Sequence, residues 1–414
     1  MLKSWNIIID NDNRLLKMMS ESLSIYDQAL YFQRQAYFET REQGKIKTYS
    51  YNQLWDKIKN EEKIKESSLD INVKQYVVKQ LTKNWLSWIT SIISFKKIPS
   101  KFKGRPKMPN YLYKSKKYNI IQIDSSRFRK KDVETNSFTL PCSNYKIFIP
   151  KQIKLKDVRQ VTIQKYYDKI KINIIYEDRE VIRNSYDDNS CIGIDLGVNN
   201  LCAITSNDKS FSYVINGRPL KSINQFYNKK NSIYKSELEK CNKMKTSKKI
   251  QHLTMKRNNK INHYLHCVSK QLIDFCVENG VEKIIIGHNN GWKQETNIGK
   301  KNNQNFVSIP FNTLINQLKY KSLKYTDLIV DVVEESYTSK IDHIALEEMK
   351  HEKDYMGKRV KRGLFESSTG KLINADINGA IGIMRKGNVI SDVQLLNLRN
   401  RGDVVSPKVF NLNL

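Results

Sequence analysis

Residues 191–205 read Cys191-Ile-Gly-Ile-Asp-Leu-Gly-Val-Asn-Asn-Leu-Cys-Ala-Ile-Thr. Two apolar runs flank a short glycine- and asparagine-containing segment, the pattern of two strands joined by a tight turn. Asp195 is an isolated acid in an apolar strand, which is costly unless the carboxylate is paired or bound to a cation. Gly193 and Gly197 lack side chains and let another backbone, or a substrate, come close. From here to about residue 388, strand and helix patterns alternate: 191–205, 225–278, 283–287, 309–326, 329–334 and 374–385. That alternation is the signature of an α/β domain.

Asp195 gains chemical meaning only with partners. Two divalent cations about 3.5–4 Å apart can activate a water and stabilise a leaving oxygen in phosphodiester hydrolysis. Mg²⁺ takes oxygen ligands, so such a centre needs carboxylates gathered from separate elements. A second candidate is Asp376, in Ile373-Asn-Ala-Asp-Ile-Asn-Gly-Ala-Ile-Gly-Ile-Met-Arg. Here Asp376, Gly379, Ala380 and Ile383 share one face of an expected helix. Glycines weaken a helix, so Gly379 and Gly382 imply close packing on a sheet, which would carry Asp376 towards Asp195. The middle acid is less direct. The strand from Lys283 ends in Gly287 and His288 where a carboxylate is expected, and the next strand ends in Glu334 and Glu335. Adjacent strand residues face opposite ways, so only one of the two glutamates faces the centre. Asp331, Val333 and Glu335 share a face, but parity alone leaves the inward face open. A Gly-x-Asp-x-Gly turn also opens actin-like and sugar-kinase ATPases, yet the further glycine-rich phosphate loops of those proteins are not found in this sequence.

The chain has 414 residues, with 72 Lys and Arg against 42 Asp and Glu, a net charge of +30. Such an excess favours a polyanionic partner, and phosphate backbones are the usual one. No run of about 18 apolar residues is present, and the N-terminus lacks the apolar core of a signal peptide. No membrane association and a cytoplasmic protein, nucleoid-associated when DNA-bound, are therefore expected. No two of the six cysteines have C-x-x-C spacing, so no structural zinc is expected, and most read as buried apolar thiols. His343 and His351, with nearby acids, are too dispersed for a metal site and read as surface residues.

Residues 1–115 read mostly helical, with Trp85, Trp88 and Ile89 at spacing that packs helices together. The segment from Ile98 to Pro109 carries three prolines and a glycine, which break the helix. Lys101, Lys103, Arg105 and Lys107 interleave there with Phe102, and Tyr111 follows; basic and aromatic groups on an extended segment suit nucleic acid. Residues 118–182 hold several short alternating strands, read as a small antiparallel barrel with turns at Pro150 and Asp168. Residues 389–414 carry few helical signals.

Six motifs in this order resemble the transposon-encoded TnpB (OrfB) nucleases, relatives of the type V CRISPR effectors. They are Gly193-Ile-Asp-Leu-Gly-Val-Asn-Asn-Leu, Gly287-His-Asn-Asn-Gly-Trp-Lys-Gln, Asn302-Asn-Gln-Asn-Phe-Val-Ser-Ile-Pro-Phe, Glu334-Glu-Ser-Tyr-Thr-Ser-Lys, Gly357-Lys-Arg-Val-Lys-Arg-Gly-Leu-Phe and Asn374-Ala-Asp-Ile-Asn-Gly-Ala. The resemblance implies an RNase H-like (RuvC) α/β nuclease domain over 190–388, with a helical insertion at about 225–278. It implies a helical recognition region over 1–115, whose first residues are open to being part of the barrel, a β-barrel wedge domain over 116–185 and a C-terminal tail over 389–414. It implies Mg²⁺ or Mn²⁺ held by Asp195, Glu335 and Asp376, with Glu334 in reserve. The family's commonest form carries its glutamate where this chain has Gly287-His288, and a four-cysteine zinc ribbon after Tyr-Thr-Ser. This chain resembles a subgroup in which the glutamate is relocated and the ribbon absent. The implied activity is RNA-guided DNA cleavage beside a short motif read by protein. The implied partners are a guide RNA from the transposon end and target double-stranded DNA with its displaced strand. Trp292, Lys293, Lys358, Arg359, Lys361 and Arg362 join the basic and aromatic residues above as candidate nucleic-acid contacts. A nuclease-inactive RNA-guided DNA-binding protein and a strand-transfer transposase are the competing readings.

Overall fold

The computed structural model describes residues 1–42, 48–114, 116–182, 189–242, 246–289, 300–351 and 353–413. The chain divides into two units, Met1–Arg179 and Glu180–Leu414.

The first unit begins with strand β1 (Leu2–Ile9), followed by helices α1 (Asn13–Glu42), α2 (Tyr51–Ile58), α3 (Glu62–Lys65) and α4 (Ile71–Lys97). Along α1 the buried residues Leu15, Met19, Tyr26, Leu30 and Tyr37 recur at alternating four- and seven-residue intervals, one helix face turned to the core. On α4 the buried Val77, Val78, Leu81 and Trp85 likewise share one helix face. Trp85 is fully buried, with its ring 5.0 Å from Trp88 and 5.7 Å from Tyr37, so these tryptophans pack helices as their spacing predicts. Strand β2 (Ile121–Asp124), helix α5 (Lys130–Glu134) and strands β3 (Ser137–Thr139), β4 (Lys146–Phe148), β5 (Val158–Tyr166) and β6 (Lys169–Glu177) complete the unit. Tyr167 and Asp168 make the turn between β5 and β6.

One sequence expectation is corrected here, and one that was left open is decided. The opening residues join the strand-rich segment: β1 pairs antiparallel with β6 along its full length, Leu2 opposite Glu177 and Ile9 opposite Ile170. The expected barrel is instead an open sheet in the order β1-β6-β5-β2, beside a separate β3–β4 pair. Among the described residues β1 and β2 do not pair. The short edge strand β2 is packed against α4, and covering an edge with a helix is an alternative to closing the sheet.

The second unit opens with β7 (Cys191–Leu196), β8 (Asn200–Ser206) and β9 (Ser212–Asn216). Helices α6 (Arg218–Asn242) and α7 (Lys248–Glu278) pack on each other. Then come β10 (Lys283–Gly287), α8 (Lys300–Val307), α9 (Phe311–Ser322) and β11 (Ile329–Val333). A three-stranded antiparallel sheet follows, β12 (Lys358–Lys361), β13 (Leu364–Glu366) and β14 (Leu372–Asn374), and leads directly into α10 (Ala375–Lys386). The central sheet runs β11-β10-β7-β8-β9, with β7, β10 and β11 parallel and β8 antiparallel between β7 and β9. Among the described residues, no helix is long and apolar enough to cross a membrane.

The C-terminal segment is ordered rather than a plain tail. Helix α11 (Asp392–Leu398) buries Leu395 and Leu398 with Ile373, Ile377 and Ile381 of the α10 region, and β15 (Lys408–Val409) adds a parallel strand beside β9. The signal for α11 was present: Ser391 and Gln394 form a reciprocal capping box. The expected thiol burial holds for Cys191, Cys202 and Cys276, whereas Cys142 and Cys241 are exposed and Cys267 is partly so.

Helix α10 lies across β7, β8 and β10. Asn374 caps it, its Oδ1 accepting from the backbone N–H of Asp376 at 3.0 Å and of Ile377 at 3.3 Å. Asn374→Ala is expected to lower unfolding free energy by about 1 kcal/mol, read by urea denaturation.

Candidate functional site

Where α10 crosses the carboxyl ends of β7 and β10, three carboxylates from separate elements lie within electrostatic reach of one another, Asp195 sensing both Glu335 and Asp376. The first, Asp195, sits on β7 opposite Ala203 of β8. Its Oδ2 lies only 2.8 Å from where a side-chain carbon on Gly379 would be, so the carboxylate rests on the bare backbone of α10. Two residues earlier on the same face of β7, a carbon on Gly193 would lie 2.2 Å from the Ala380 carbonyl oxygen. The glycines that weaken these elements locally are what bring the helix down onto the strand.

Asp376 stands in the first turn of α10. Asn200 Nδ2 donates to its Oδ2 at 2.8 Å, and the Arg359 guanidinium lies 3.7 Å from its Oδ1.

Glu335 resolves the parity question. Gly287 pairs with Val333, and the Gly287 face looks onto Ile383 of α10, which sets the inward side. Val333 therefore points inward, and Glu335, two residues on, follows it. A carbon on Gly287 would lie 3.0 Å from Glu335 Oε2. The Glu335 carboxylate thus lies against the position at which a side chain on the β10 strand end would begin. Asn289 Oδ1 accepts from the Glu335 backbone N–H at 2.8 Å and fixes the strand end. Glu334 is more exposed and lies 3.7 Å from Lys386 Nζ.

The electrostatics match this geometry. Burial raises the Asp195 carboxyl well above its ordinary value, and the Glu335 and Asp376 charges raise it further, against an opposing effect of Arg359. Burial, followed by the neighbouring Glu334 charge, raises Glu335 to about 7. Its Oε2 is buried without a hydrogen-bond partner among the described residues. An orphaned buried carboxylate oxygen among two further acids is the donor set a hard divalent cation requires, so the residues fit such an ion. Among the described residues, no three His, Cys, Asp or Glu side chains are drawn together closely enough to hold an ion as they stand. Mutual repulsion and the Asn200 and Arg359 contacts to Asp376 are consistent with that spacing.

The raised Glu335 value has a sign that can be checked. Its protonated form is favoured by the fold, so its contribution to stability is full below the ordinary value of 4.5 and is lost as pH rises through about 7. Ion-free protein is expected to lose about 2–3 kcal/mol between pH 4.5 and 8 that Glu335→Gln does not lose. Denaturant unfolding of both proteins in EDTA reads the difference; parallel pH profiles would contradict it.

His343, expected at the surface, is fully buried. Its Nε2 donates to the Thr338 carbonyl at 2.7 Å, and Arg385 donates to its Nδ1 at 3.1 Å. Burial lowers it to about 4, so it is neutral and structural. Neighbouring Asp342 is also buried, its Oδ2 accepting from Ser367 Oγ and from the Ser368 backbone and hydroxyl. This polar knot ties residues 338–347 to β13, the loop after it, and α10. Pattern reading missed it because its partners are distant in sequence.

Comparison with known proteins agrees with the motifs. The OrfB_IS605 family model, described as a probable transposase, matches residues 173–293. The TnpB-like protein ORF457 of Acidianus two-tailed virus is 22% identical over 420 residues, covering 92% of this chain and 86% of the viral protein. Both matches point to likeness with TnpB proteins. A solved structure, the cryo-EM Cas12f1-sgRNA-target DNA complex, matches with a TM-score of 0.55 at 16% identity, over 89% of this chain and 82% of that one. At that identity the likeness is one of fold.

The remaining candidate residues fall in two places. In the first unit, Lys101, Lys103, Arg105 and Lys107 are exposed. Their segment is laid on helices, Phe102 ring to Phe95 at 5.7 Å and Trp88 Nε1 to the Pro106 carbonyl at 3.3 Å. Tyr111 lies under the Arg34 guanidinium at 4.8 Å, which leaves it partly buried. In the second unit, Lys358, Arg359, Lys361 and Arg362 are exposed on the β12–β13 hairpin, and Arg359 reaches Asp376. Trp292 and Lys293 lie outside the described residues. Sequence reasoning passed over Asn200 and Asn289, although both stand inside the quoted motifs, Asn200 opening β8 and Asn289 just after β10.

Proposed function

We propose that this chain is an RNA-guided DNA endonuclease of a transposon, acting in the cytoplasm on double-stranded DNA beside a short motif read by the protein. The observation that carries the reading is the buried Glu335 carboxylate beside Gly287, close to Asp195 and on the side of the sheet that α10 covers. Similarity to TnpB proteins and a fold like that of a protein solved with guide RNA and target DNA support it. So does the net charge of +30, which suits two nucleic-acid partners.

Asp195, Glu335 and Asp376 would hold Mg²⁺ or Mn²⁺. When bound, such ions supply a water that is deprotonated at neutral pH and a counter-charge for the leaving oxygen. The chain's own part is positional. Gly379 and Gly193 keep α10 on β7, Asn289 fixes the Glu335 strand end, and Asn200 orients Asp376. The β12–β13 hairpin, whose Arg359 reaches Asp376, offers the exposed Lys358, Lys361 and Arg362 to a phosphate backbone.

The test is to purify the chain, sequence the RNA that accompanies it, and challenge the complex with DNA matching that RNA. A defined RNA whose sequence directs Mg²⁺-dependent cleavage is the expected result. Specific binding without cleavage in Mg²⁺ or Mn²⁺ would mark a guided binder. Strand joining without RNA would mark a transposase.

A further inference from the structure

The three carboxylates are not equally open. Glu335 Oε2 has no hydrogen-bond partner, whereas both oxygens of Asp376 are attended, Oδ2 by Asn200 and Oδ1 by Arg359. The two attendants differ in kind. Asn200 donates a hydrogen bond at 2.8 Å from the central sheet. Arg359 stands at 3.7 Å, too far for a hydrogen bond, with its side chain 55% exposed. It belongs to a basic hairpin, in which Lys361 and Arg362 are exposed and Gly363 turns the tip with φ of +82°. A guanidinium held by charge alone is readily exchanged, and a phosphate offers it a bidentate partner that this contact does not.

We propose that Arg359 is a placeholder cation: it occupies Asp376 in the free protein and transfers to a phosphate of bound nucleic acid. Polyanion binding on the β12–β13 hairpin thereby strengthens divalent-cation binding at Asp195 and Asp376. The inference rests on the nuclease reading above and adds to it an order of events. A divalent ion and the Arg359 guanidinium compete for one carboxylate, so the centre fills less readily until a phosphate backbone has drawn Arg359 away. By linkage, the ion strengthens polyanion binding by the same factor. Arg359 is on this view a positioning residue, acting through Asp376.

The test measures Mn²⁺ binding by electron paramagnetic resonance at low ionic strength, on the full chain stripped of nucleic acid. Wild type, Arg359→Ala, Arg359→Lys and Asp195→Asn are compared with and without a short oligothymidylate, with the oligonucleotide's own Mn²⁺ binding subtracted. Without oligonucleotide, Arg359→Ala is expected to bind Mn²⁺ about three- to fivefold more tightly than wild type, the range an exposed ion pair can supply. Arg359→Lys is expected to stay near wild type. The oligonucleotide is expected to tighten wild type by a similar factor and to leave Arg359→Ala unchanged, and raised salt to shrink both effects. Asp195-dependent Mn²⁺ binding that is identical in wild type and Arg359→Ala would overturn the placeholder role while leaving the metal centre intact. Absence of any Asp195-dependent binding in either protein would overturn the metal centre, and the placeholder with it.

Discussion

Glu335→Gln is expected to reduce cleavage of guide-matched DNA by on the order of 100-fold or more, while Glu334→Gln changes it little. Outer-shell changes at metal centres already cost about 10–100-fold, and removing a ligand's charge costs more. The asymmetry between the neighbours follows from where the strand ends. Glu335 is buried beside Gly287 with an unpartnered oxygen, whereas Glu334 stands in solvent near Lys386. The substitution also separates chemistry from folding. Burial already favours the neutral carboxyl at position 335, so a neutral amide of the same shape fits there, and Glu335→Gln is expected to be no less stable than wild type at pH 8. Loss of cleavage in a fully folded protein therefore reports the charge. Equal losses in the two variants, or none in either, would place the third acid elsewhere.

Gly193→Ala is expected to be the most damaging single methyl in the second unit. The added carbon would lie 2.2 Å from the Ala380 carbonyl oxygen and 2.7 Å from Met384 Cγ. Met384 can rotate away, but a backbone carbonyl inside α10 cannot. The helix must lift from β7, carrying Gly379 and Asp376 with it. Overpacking costs typically about 1–3 kcal/mol, and a clash with helix backbone stands at or above the top of that range. Thermal unfolding and Mn²⁺ binding are expected to fall together. Gly104→Ala, where nothing stands within 4 Å, serves as the control with no effect. A Gly193→Ala protein as stable as wild type would contradict the packing described for α10.

These two results bear on how far the site is written locally in the chain. Asp195 and Asp376 were legible because each sits in a short segment whose own pattern is odd: an acid in an apolar strand, and glycines along one face of a helix. The choice between Glu335 and Glu334 was half legible. Period-two alternation divides them, but the inward face is set by α10 packing on Gly193 and Gly287, contacts separated by more than ninety residues from the helix. The His343 and Asp342 knot was not legible, because a buried neutral histidine and an exposed one have the same neighbours in sequence. The open sheet in place of a barrel has the same cause: alternation predicts strands, and closure depends on whether the edge strands meet. The pairing of β1 with β6 joins residues about 170 apart, beyond any local signal.

The most direct measurement is cleavage of guide-matched DNA in Mg²⁺ by wild type and by Asp195→Asn, each loaded with the same RNA, with target binding recorded in parallel. Cleavage by wild type, with its loss and retained binding in Asp195→Asn, is the expected outcome. Undiminished cleavage by Asp195→Asn would contradict a metal centre built on Asp195.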